Sequence, residues 1–553
     1  MAAHPWWHSA VVYQIYPRSF QDANGDGVGD LPGITERLDY LAGTLGVDTV
    51  WLSPFYRSPM ADFGYDVADY TDVDPIFGTL DDFDRMAARA KELGLKLIVD
   101  FVPNHSSEKH AWFKAARSSK DDPKRDWYVW HDPAPDGGPP NNWLSIFGGS
   151  AWELDEATGQ YYLHSFLREQ PDLNWRNLEL KAAMFDALRF WMDRGVDGFR
   201  IDVAHYIMKD PAMRDNPLAT EVADYHKSLG EYDSQVHLYD KGHEDVHGVF
   251  REIRSLVDTH DAPTFGRAER VTIGEIHEYD RAAWVRYFGG NATPGVLDEL
   301  HMPFNFALLN ADWTAASIRA SVDDLEAALP EGAWPNYVVS NHDEKRIRSR
   351  VGAAQARIAA MLLLTLRGSP TLYYGDELGM PEVDVPEEKL QDPWGFRSLP
   401  ELSRDGCRTP MAWDDSPSAG FSDAPPDDLW LPLHDDHASI NVDAELDDPD
   451  SMLNLYRRLL VLRKETPALQ VGSYTPSDDV PDDVFAYVRE HDGTDGHERP
   501  RVFVALNFSP EMQEVAVPDG FTGHVLASTQ RERESRTFTG TLHLGANEGV
   551  VLG

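Results

Sequence analysis

Eight short runs of apolar and β-branched residues, each followed by turn residues and then by helical spacing, organise the chain. They are VVYQIYP (11–17), VDTVWLSP (47–54), LKLIVDFV (95–102), VDGFRID (196–202), VTIGEI (271–276), ELHMPFNF (299–306), NYVVSNHD (336–343) and PTLYYGDE (370–377). Runs of this kind are typical of buried parallel strands. Amphipathic stretches lie between them, and two of these, LDDFDRMAARAKELG (80–94) and KAAMFDALRFWMDRG (181–195), end in Gly, as helices often do. Eight β–α repeats predict a (β/α)8 TIM barrel. A doubly wound sheet is the alternative, but no GxGxxG opens a helix after the first run.

The spacing of the runs predicts additions to this barrel. Residues 104–174 separate the third run from the fourth and are rich in Trp, Pro, Gly and Asn, which indicates an inserted loop-rich subdomain. Residues 378–450 carry many Pro and Asp and predict an irregular excursion. We therefore expect a barrel over 1–103 and 175–468, and an all-β C-terminal sandwich domain over 469–553, where short alternating strands begin.

Composition and charge restrict the partners. The chain has 553 residues with 50 Lys and Arg against 93 Asp and Glu, a formal net charge of −43. Such a charge disfavours nucleic acid and anionic lipid, so we expect a small neutral substrate. No apolar run approaches the ~18–20 residues that span a bilayer, which argues against a membrane protein. The start, MAAHPWWHSA, lacks the pattern of a signal peptide, and the lone Cys407 forms no internal disulfide, so we expect a cytoplasmic protein.

Polar side chains cluster where the predicted strands end, which is the face that carries the active site of a TIM barrel. They are Asp100, Asn104 and His105 after the third strand, Arg200 and Asp202 after the fourth, Glu275 after the fifth, and His342 and Asp343 after the seventh. A single Asp at a strand end is more often a helix cap, but several polar residues at the same end of a barrel indicate an active site. The two His lie on different strands without HxH or HExxH spacing, which argues against a metal centre there.

Paired carboxylates with opposite roles are the requirement of glycosidic bond cleavage. Asp202 lies two residues after Arg200, on the same face of a strand, and a neighbouring guanidinium lowers the pKa of a carboxylate, so Asp202 suits the nucleophile. Glu275 has the longer side chain with an apolar strand behind it and suits the acid/base. Like-charge proximity to Asp343 would raise the pKa of Glu275, and His105 and His342 are natural donors to sugar hydroxyls.

The strings DFVPNH, GFRIDVAH, IGEI and SNHD resemble, in order and spacing, the four signature regions of glycoside hydrolase family 13, the α-amylase superfamily. QPDLNW (170–175), GYDVADY (64–70) and GSPTLYYGDELGM (368–380) are similar to its additional regions. The resemblance implies a retaining mechanism with Asp202 as nucleophile, Glu275 as acid/base and Asp343 as transition-state stabiliser. It also implies that Asp66, His105, Arg200 and His342 hold the glucose whose bond is broken.

Within that superfamily, QPDLNW and RTPMAW (408–413) resemble the α-glucosidase and oligo-1,6-glucosidase branch. The resemblance implies that Asp66 pairs with Arg408 and closes the pocket behind the terminal glucose, which would make cleavage exo-acting. An ordinary surface role for Arg408 is the alternative. Trehalose-forming relatives typically carry Met where this chain has Gln170, which disfavours that activity.

Two signals disagree on linkage. Val203 follows the expected nucleophile, and Val there usually accompanies α-1,6 cleavage, but GFRIDVAH and HEDVHGVFREIR (243–254) resemble α-1,4-acting bacterial enzymes. We expect maltose and short α-1,4-gluco-oligosaccharides as substrates, with possible transglucosylation. The alternatives are an oligo-1,6-glucosidase, a glucosyltransferase or sucrose-cleaving relative, and a catalytically silent homologue such as a transporter subunit.

An acidic loop predicts a structural metal site. DANGDGVGD (22–30) places oxygen ligands at Asp22, Asn24, Asp26 and Asp30, with Gly27 for a tight bend, but the twelfth position is Gly33 where an EF-hand has Glu. In the resembling branch the same loop binds Ca²⁺, or sometimes Mg²⁺, through these positions and the carbonyl of Val28. An acidic turn without metal is the alternative.

Overall fold

Eight parallel strands form the centre of the molecule. In a computed structural model the described residues are 4–220, 229–397, 400–493, 501–519, 521, 523–537 and 540–553. The strands are β1 (Val12–Ile15), β2 (Thr49–Leu52), β3 (Lys96–Phe101), β4 (Gly198–Ile201), β5 (Val271–Gly274), β6 (Met302–Pro303), β7 (Asn336–Val338) and β8 (Ser369–Tyr373). Their order in the sheet is β6-β5-β4-β3-β2-β1-β8-β7. The two ends of the sheet meet where the backbone N–H of Asn305 donates to Asn336 Oδ1 at 2.9 Å, so the predicted barrel is confirmed.

One helix follows each strand of the barrel. These helices are α1 (Leu31–Asp39), α2 (Leu80–Glu92), α3 (Leu178–Asp193), α4 (Val246–Thr259), α5 (Arg281–Trp284), α6 (Ala315–Ala328), α7 (Ile347–Thr365) and α8 (Met452–Glu465). Several of these helices start at a side chain that accepts hydrogen bonds from the first backbone N–H groups. Thr79 and Asp82 form a capping box on α2, and Asn177 caps α3. Within the described residues, we find no helix with both the length and the apolar character of a bilayer span.

Shorter elements lie between and around the barrel units. The short helices are Trp6–Ser9, Pro17–Phe20, Tyr40–Leu45, Ala111–Ser118, Val285–Phe288, Ala307–Asn310, Pro393–Arg397, Val442–Asp447 and Pro467–Val471. Two antiparallel strand pairs are Tyr56–Arg57 with Asp69–Val73, and Asp261–Ala262 with Gly266–Arg267.

The insertion after β3 and the C-terminal β fold are both present, as the sequence predicts. The insertion carries a three-stranded antiparallel sheet of Trp130–His131, Gln160–Leu163 and Trp152–Asp155. The C-terminal sheet has, in order, Ser473–Pro476, Val484–Glu490, Arg501–Asn507, Gly549–Leu552 and Val525–Ser528, and the strands Gln513–Ala516 and Thr541–Leu544 pair beside it. It docks on α7, where Thr365 Oγ1 and Tyr487 Oη lie 2.6 Å apart. The domain boundaries given above stay predictions.

Candidate active site

Arg200 is the centre of a buried charge cluster at the carboxyl ends of β3, β4 and β5. Its Nη1 lies 2.7 Å from Asp100 Oδ1 and 2.6 Å from Asp202 Oδ1, and its Nη2 lies 2.8 Å from Glu275 Oε2. The sheet register places Asp100 directly beside Arg200, and Trp51 Nε1 donates to the other oxygen of Asp100 at 2.9 Å. One guanidinium therefore holds three carboxylates from three strands.

The pKa of Asp202 is set by several groups besides Arg200. Burial, together with the charges of Glu275 and Asp100, raises the pKa of Asp202 well above its usual range, although Arg200 acts in the opposite direction. Arg200 therefore lowers the pKa of Asp202 as predicted, but burial and the two neighbouring carboxylates outweigh it, so the net direction is upward. Burial and the charge of Asp343 act to raise the pKa of Glu275 as well, but Arg200 and His277 hold it below its usual range.

The backbone of Val203 positions Glu275. Val203 has φ +35° and ψ +45°, a left-handed conformation that a β-branched residue rarely adopts. In this conformation its N–H donates to Glu275 Oε2 at 2.8 Å, and the N–H of Ala204 donates to the carbonyl of Glu275 at 3.0 Å. The residue after Asp202 thus fixes the neighbouring carboxylate through its main chain.

Asp343 contacts two arginines on the other side of the cluster. Its Oδ1 lies 3.0 Å from Arg404 Nη1 and 3.1 Å from Arg408 Nη2, and Arg408 also donates to the carbonyl of His342 at 2.7 Å. Arg404 Nη2 reaches Asp62 Oδ1 at 2.9 Å. An arginine–carboxylate pair therefore lies beside Asp343, but its members are Asp62 and Arg404.

The predicted pairing of Asp66 with Arg408 is wrong. Asp66 is fully buried, and its carboxylate accepts from Ser58 Oγ at 2.7 Å and from the N–H groups of Ala61 and Asp62 at 3.0 Å each. These bonds fold the turn that carries Asp62 into the pocket. Asp62 and Arg404 each lie four residues before the predicted partner, and no spacing in the sequence separates the two choices.

Both predicted histidines are buried and neutral. His342 Nδ1 lies 2.8 Å from Gln14 Nε2, and its Nε2 lies 2.7 Å from Tyr65 Oη; burial lowers the pKa of His342 to about 3. His105 Nε2 lies 3.0 Å from Gln170 Nε2, and burial lowers the pKa of His105 to about 4. His105 Nδ1 also lies 3.1 Å from Asn104 Nδ2, so both nitrogens of each ring have a protein partner, and their binding of sugar hydroxyls stays a prediction.

The acidic loop after β1 folds around its own carboxylates. Asp22 accepts from the N–H groups of Asn24 and Gly27 at 2.9 and 2.8 Å, and Asp30 accepts from Gly33 N–H at 2.7 Å. Burial, followed by the charges of Asp22 and Asp26, raises the pKa of Asp30 to about 6. Among the described residues, no group of three or more His, Cys, Asp and Glu has the arrangement of a metal site. The donor set is all oxygen and fits a hard cation, and Ca²⁺ binding stays a prediction.

The comparisons with known proteins agree with this geometry. The catalytic-domain model of the alpha-amylase family matches residues 14–472. A probable alpha-glucosidase of Rhizobium meliloti (strain 1021) is 43% identical, over 93% of this chain and 91% of that protein. The chain belongs to glycoside hydrolase family 13. Within the family it is also similar to the oligo-1,6-glucosidase of Parageobacillus thermoglucosidasius, at 37% identity over 95% and 93% of the two chains.

Solved structures match the chain over its whole length. A crystal structure of the alpha-glucosyl transfer enzyme XgtA is 43% identical, with a TM-score of 0.89 and coverage of 100% and 99%. A trehalulose synthase, MutB, is 37% identical, with a TM-score of 0.86 and coverage of 99% and 100%. The expected α-glucosidase and oligo-1,6-glucosidase branch of family 13 is confirmed by these relatives.

Proposed function

We propose that the protein is a retaining, exo-acting α-glucosidase that releases glucose from maltose and short α-1,4-gluco-oligosaccharides. The observation that carries the proposal is the binding of Asp202 and Glu275 to the two terminal nitrogens of Arg200. A retaining mechanism needs two carboxyl groups about 5–5.5 Å apart, whereas an inverting one needs a wider gap for a water molecule. The shared guanidinium holds the two carboxylates close together.

The roles follow from what each group can do. The reaction uses the form of the site in which Asp202 is ionised and Glu275 carries the proton, although the site without substrate favours the proton on Asp202. In that form the carboxylate of Asp202 attacks the anomeric carbon while Glu275 gives its proton to the departing glycosidic oxygen, so one C–O bond forms as another breaks. A water molecule then attacks the same carbon, Glu275 takes its proton, and Asp202 is released. Asp343, held by Arg404 and Arg408, stays ionised and stabilises the positive charge on the sugar.

Exo action is supported by the closed side of the pocket. The pair of Asp62 and Arg404 connects the turn at residues 58–62 with the excursion after β8 and contacts Asp343 on the way. Buried Tyr65 stacks on His342 at 5.5 Å between ring centroids. A pocket closed in this way accepts a single terminal glucose and excludes the interior of a long chain.

Glucosyl transfer is the second candidate. It is supported by the full-length similarity to an alpha-glucosyl transfer enzyme and to a trehalulose synthase. Transfer and hydrolysis share the covalent intermediate on Asp202 and differ only in the acceptor. Both accord with a small neutral glucoside as substrate for a chain of net charge −43, a charge that disfavours nucleic acid.

A structural cation and a cytoplasmic location complete the proposal. Asp22, Asn24, Asp26, Asp30 and the carbonyl of Val28 would hold Ca²⁺, or Mg²⁺, and bring together three mutually repelling carboxylates. The ion would stabilise the loop, and no catalytic step needs it. The single cysteine, Cys407, is buried, which accords with a reducing compartment.

Product analysis tests the function directly. The purified protein is incubated with maltose, isomaltose and sucrose, and the anomer of the glucose first released is followed by NMR. We expect turnover of maltose, with longer oligosaccharides appearing at high maltose if transfer competes, and α-glucose as the first anomer from an aryl α-glucoside or sucrose, where all of the released glucose comes from the bond that is cleaved. β-Glucose as the first anomer from those substrates, or no turnover of any α-glucoside, would contradict the proposal.

A further inference from the structure

The two oxygens of Glu275 have different surroundings. Oε2 accepts from Arg200 Nη2 and from the N–H of Val203, both at 2.8 Å. Since a guanidinium and a backbone N–H can only donate, Oε2 is committed as an acceptor. The proton that Glu275 must give to a leaving group therefore belongs on Oε1.

His277 occupies the position next to that oxygen. Its Nε2 lies 3.0 Å from Glu275 Oε1, and the imidazole stacks on Phe306 with ring centroids 4.7 Å apart and an interplanar angle of 17°. Phe306 in turn stacks on Phe304, just after β6. The imidazole is thus held from the neighbouring strand, while 42% of its side chain stays exposed. The stack keeps the ring in this position whether Glu275 is charged or neutral.

We propose that His277 is a positioning residue for the acid/base, a role that rests on the proposed glucosidase function. An ionised Oε1 can only accept, so His277 donates its Nε2–H whenever Glu275 is charged. That bond favours the ionised carboxylate, fixes the position of Oε1 and sets the pH above which the catalytic proton is lost.

Other groups also act on Glu275, and all of them stay in place when His277 is changed. They are Asp100, Arg200, Asp202, His205, Tyr206 and Asp343. Burial, followed by the charge of Lys241, lowers the pKa of His205 well below its usual range, so this ring adds no charge of its own. A change confined to His277 therefore removes the hydrogen bond to Glu275 together with the charge effect of this ring on Glu275 and His205.

The test compares pH profiles of kcat/KM on maltose for His277→Phe and His277→Gln. Phe keeps the stack on Phe306 but removes the donor, so the pKa of Glu275 rises and we expect the alkaline limb to move up by about one pH unit. Gln restores an uncharged hydrogen-bond donor to Glu275, and the alkaline limb of its profile should return toward that of the wild type. His543→Phe, a change at an exposed side chain of the C-terminal domain, should leave the profile unmoved.

An alkaline limb that stays in place in His277→Phe, or moves down, would overturn the inference even if activity falls. His277→Ala makes the same test if the Phe variant does not fold. A wild-type protein that cleaves maltose with a bell-shaped profile keeps the proposed function intact whichever way the variants behave. A wild-type protein without activity on α-glucosides would overturn the proposed function and this role together.

Discussion

Arg404 Nη2 lies 2.9 Å from Asp62 Oδ1, and this pair joins two segments 342 residues apart. The same guanidinium also binds Asp392, which is fully buried and whose Oδ1 lies 2.7 Å from Nη2. The anchor fixes the arginine, so that its remaining N–H groups face Asp62 and Asp343. Arg404 is thus a cation held between three carboxylates, in the pair that we propose closes the pocket.

Asp62 and Asp66 should therefore behave differently when each is changed to Asn. Asp62→Asn weakens the pair that closes the pocket, and we expect at least about a tenfold loss of kcat/KM on maltose, mainly through KM. Asp66→Asn offers one acceptor oxygen where the turn uses two, so it should mainly lower the melting temperature. Kinetics and thermal melts of both variants check this. A larger kinetic loss in Asp66→Asn than in Asp62→Asn would favour the pairing with Asp66.

Glu445 makes stability depend on pH. Burial raises its pKa to about 8, although the carboxylate accepts from the N–H of Leu453 at the start of α8. The folded protein therefore binds a proton that the unfolded chain releases near pH 4.5. The contribution is complete below that pH and is lost as pH rises toward 8. The melting temperature of Glu445→Gln should fall less than that of the wild type between pH 5 and 8, whereas exposed Glu331→Gln should follow the wild type.

The calcium proposal predicts a metal-dependent melting temperature. Removal of the ion with a chelator should lower it and leave the catalytic groups in place, because the loop at residues 22–30 lies outside the Arg200 cluster. Stabilisation by a bound ion amounts to about 2.7 kcal/mol at a hundredfold excess over Kd. Asp26→Ala should melt at the same temperature with and without chelator. An unchanged melting curve of the wild type, with no metal found by elemental analysis, would argue for an acidic turn alone.

Linkage preference is decided by kcat/KM on maltose and isomaltose. We expect maltose to be the better substrate. Val203 packs with Phe166 and Tyr206 beside Asp202, but a difference of one methyl group changes discrimination by only ~1–3 kcal/mol, so the rest of the pocket can outweigh it. A value for isomaltose tenfold above that for maltose would show that Val203 is the better guide.

The barrel and the residues at its strand ends could be predicted because both follow from local pattern. Alternating strands and helices set the topology, and a residue two positions after Arg200 must share its face of the strand. Contacts that depend on long irregular segments could not be predicted in this way. Arg404 reaches Asp62 through the excursion after β8, and no periodicity fixes the path of that segment. The left-handed backbone of Val203 and the position of His277 likewise arise from tertiary packing. The net pKa direction of Asp202 depends on its burial and on how many anions share one cation.

The identity of the nucleophile is the central claim, and trapping of the covalent intermediate tests it most directly. The protein is treated with a fluorinated α-glucosyl fluoride, whose second step is slow, then digested and examined by mass spectrometry. We expect one glucosyl adduct on the peptide that contains Asp202, and none in Asp202→Asn, whose activity should fall by roughly 10³-fold or more with an unchanged fold. An adduct on Glu275 or Asp343, or an Asp202→Asn variant that keeps its activity, would contradict the account.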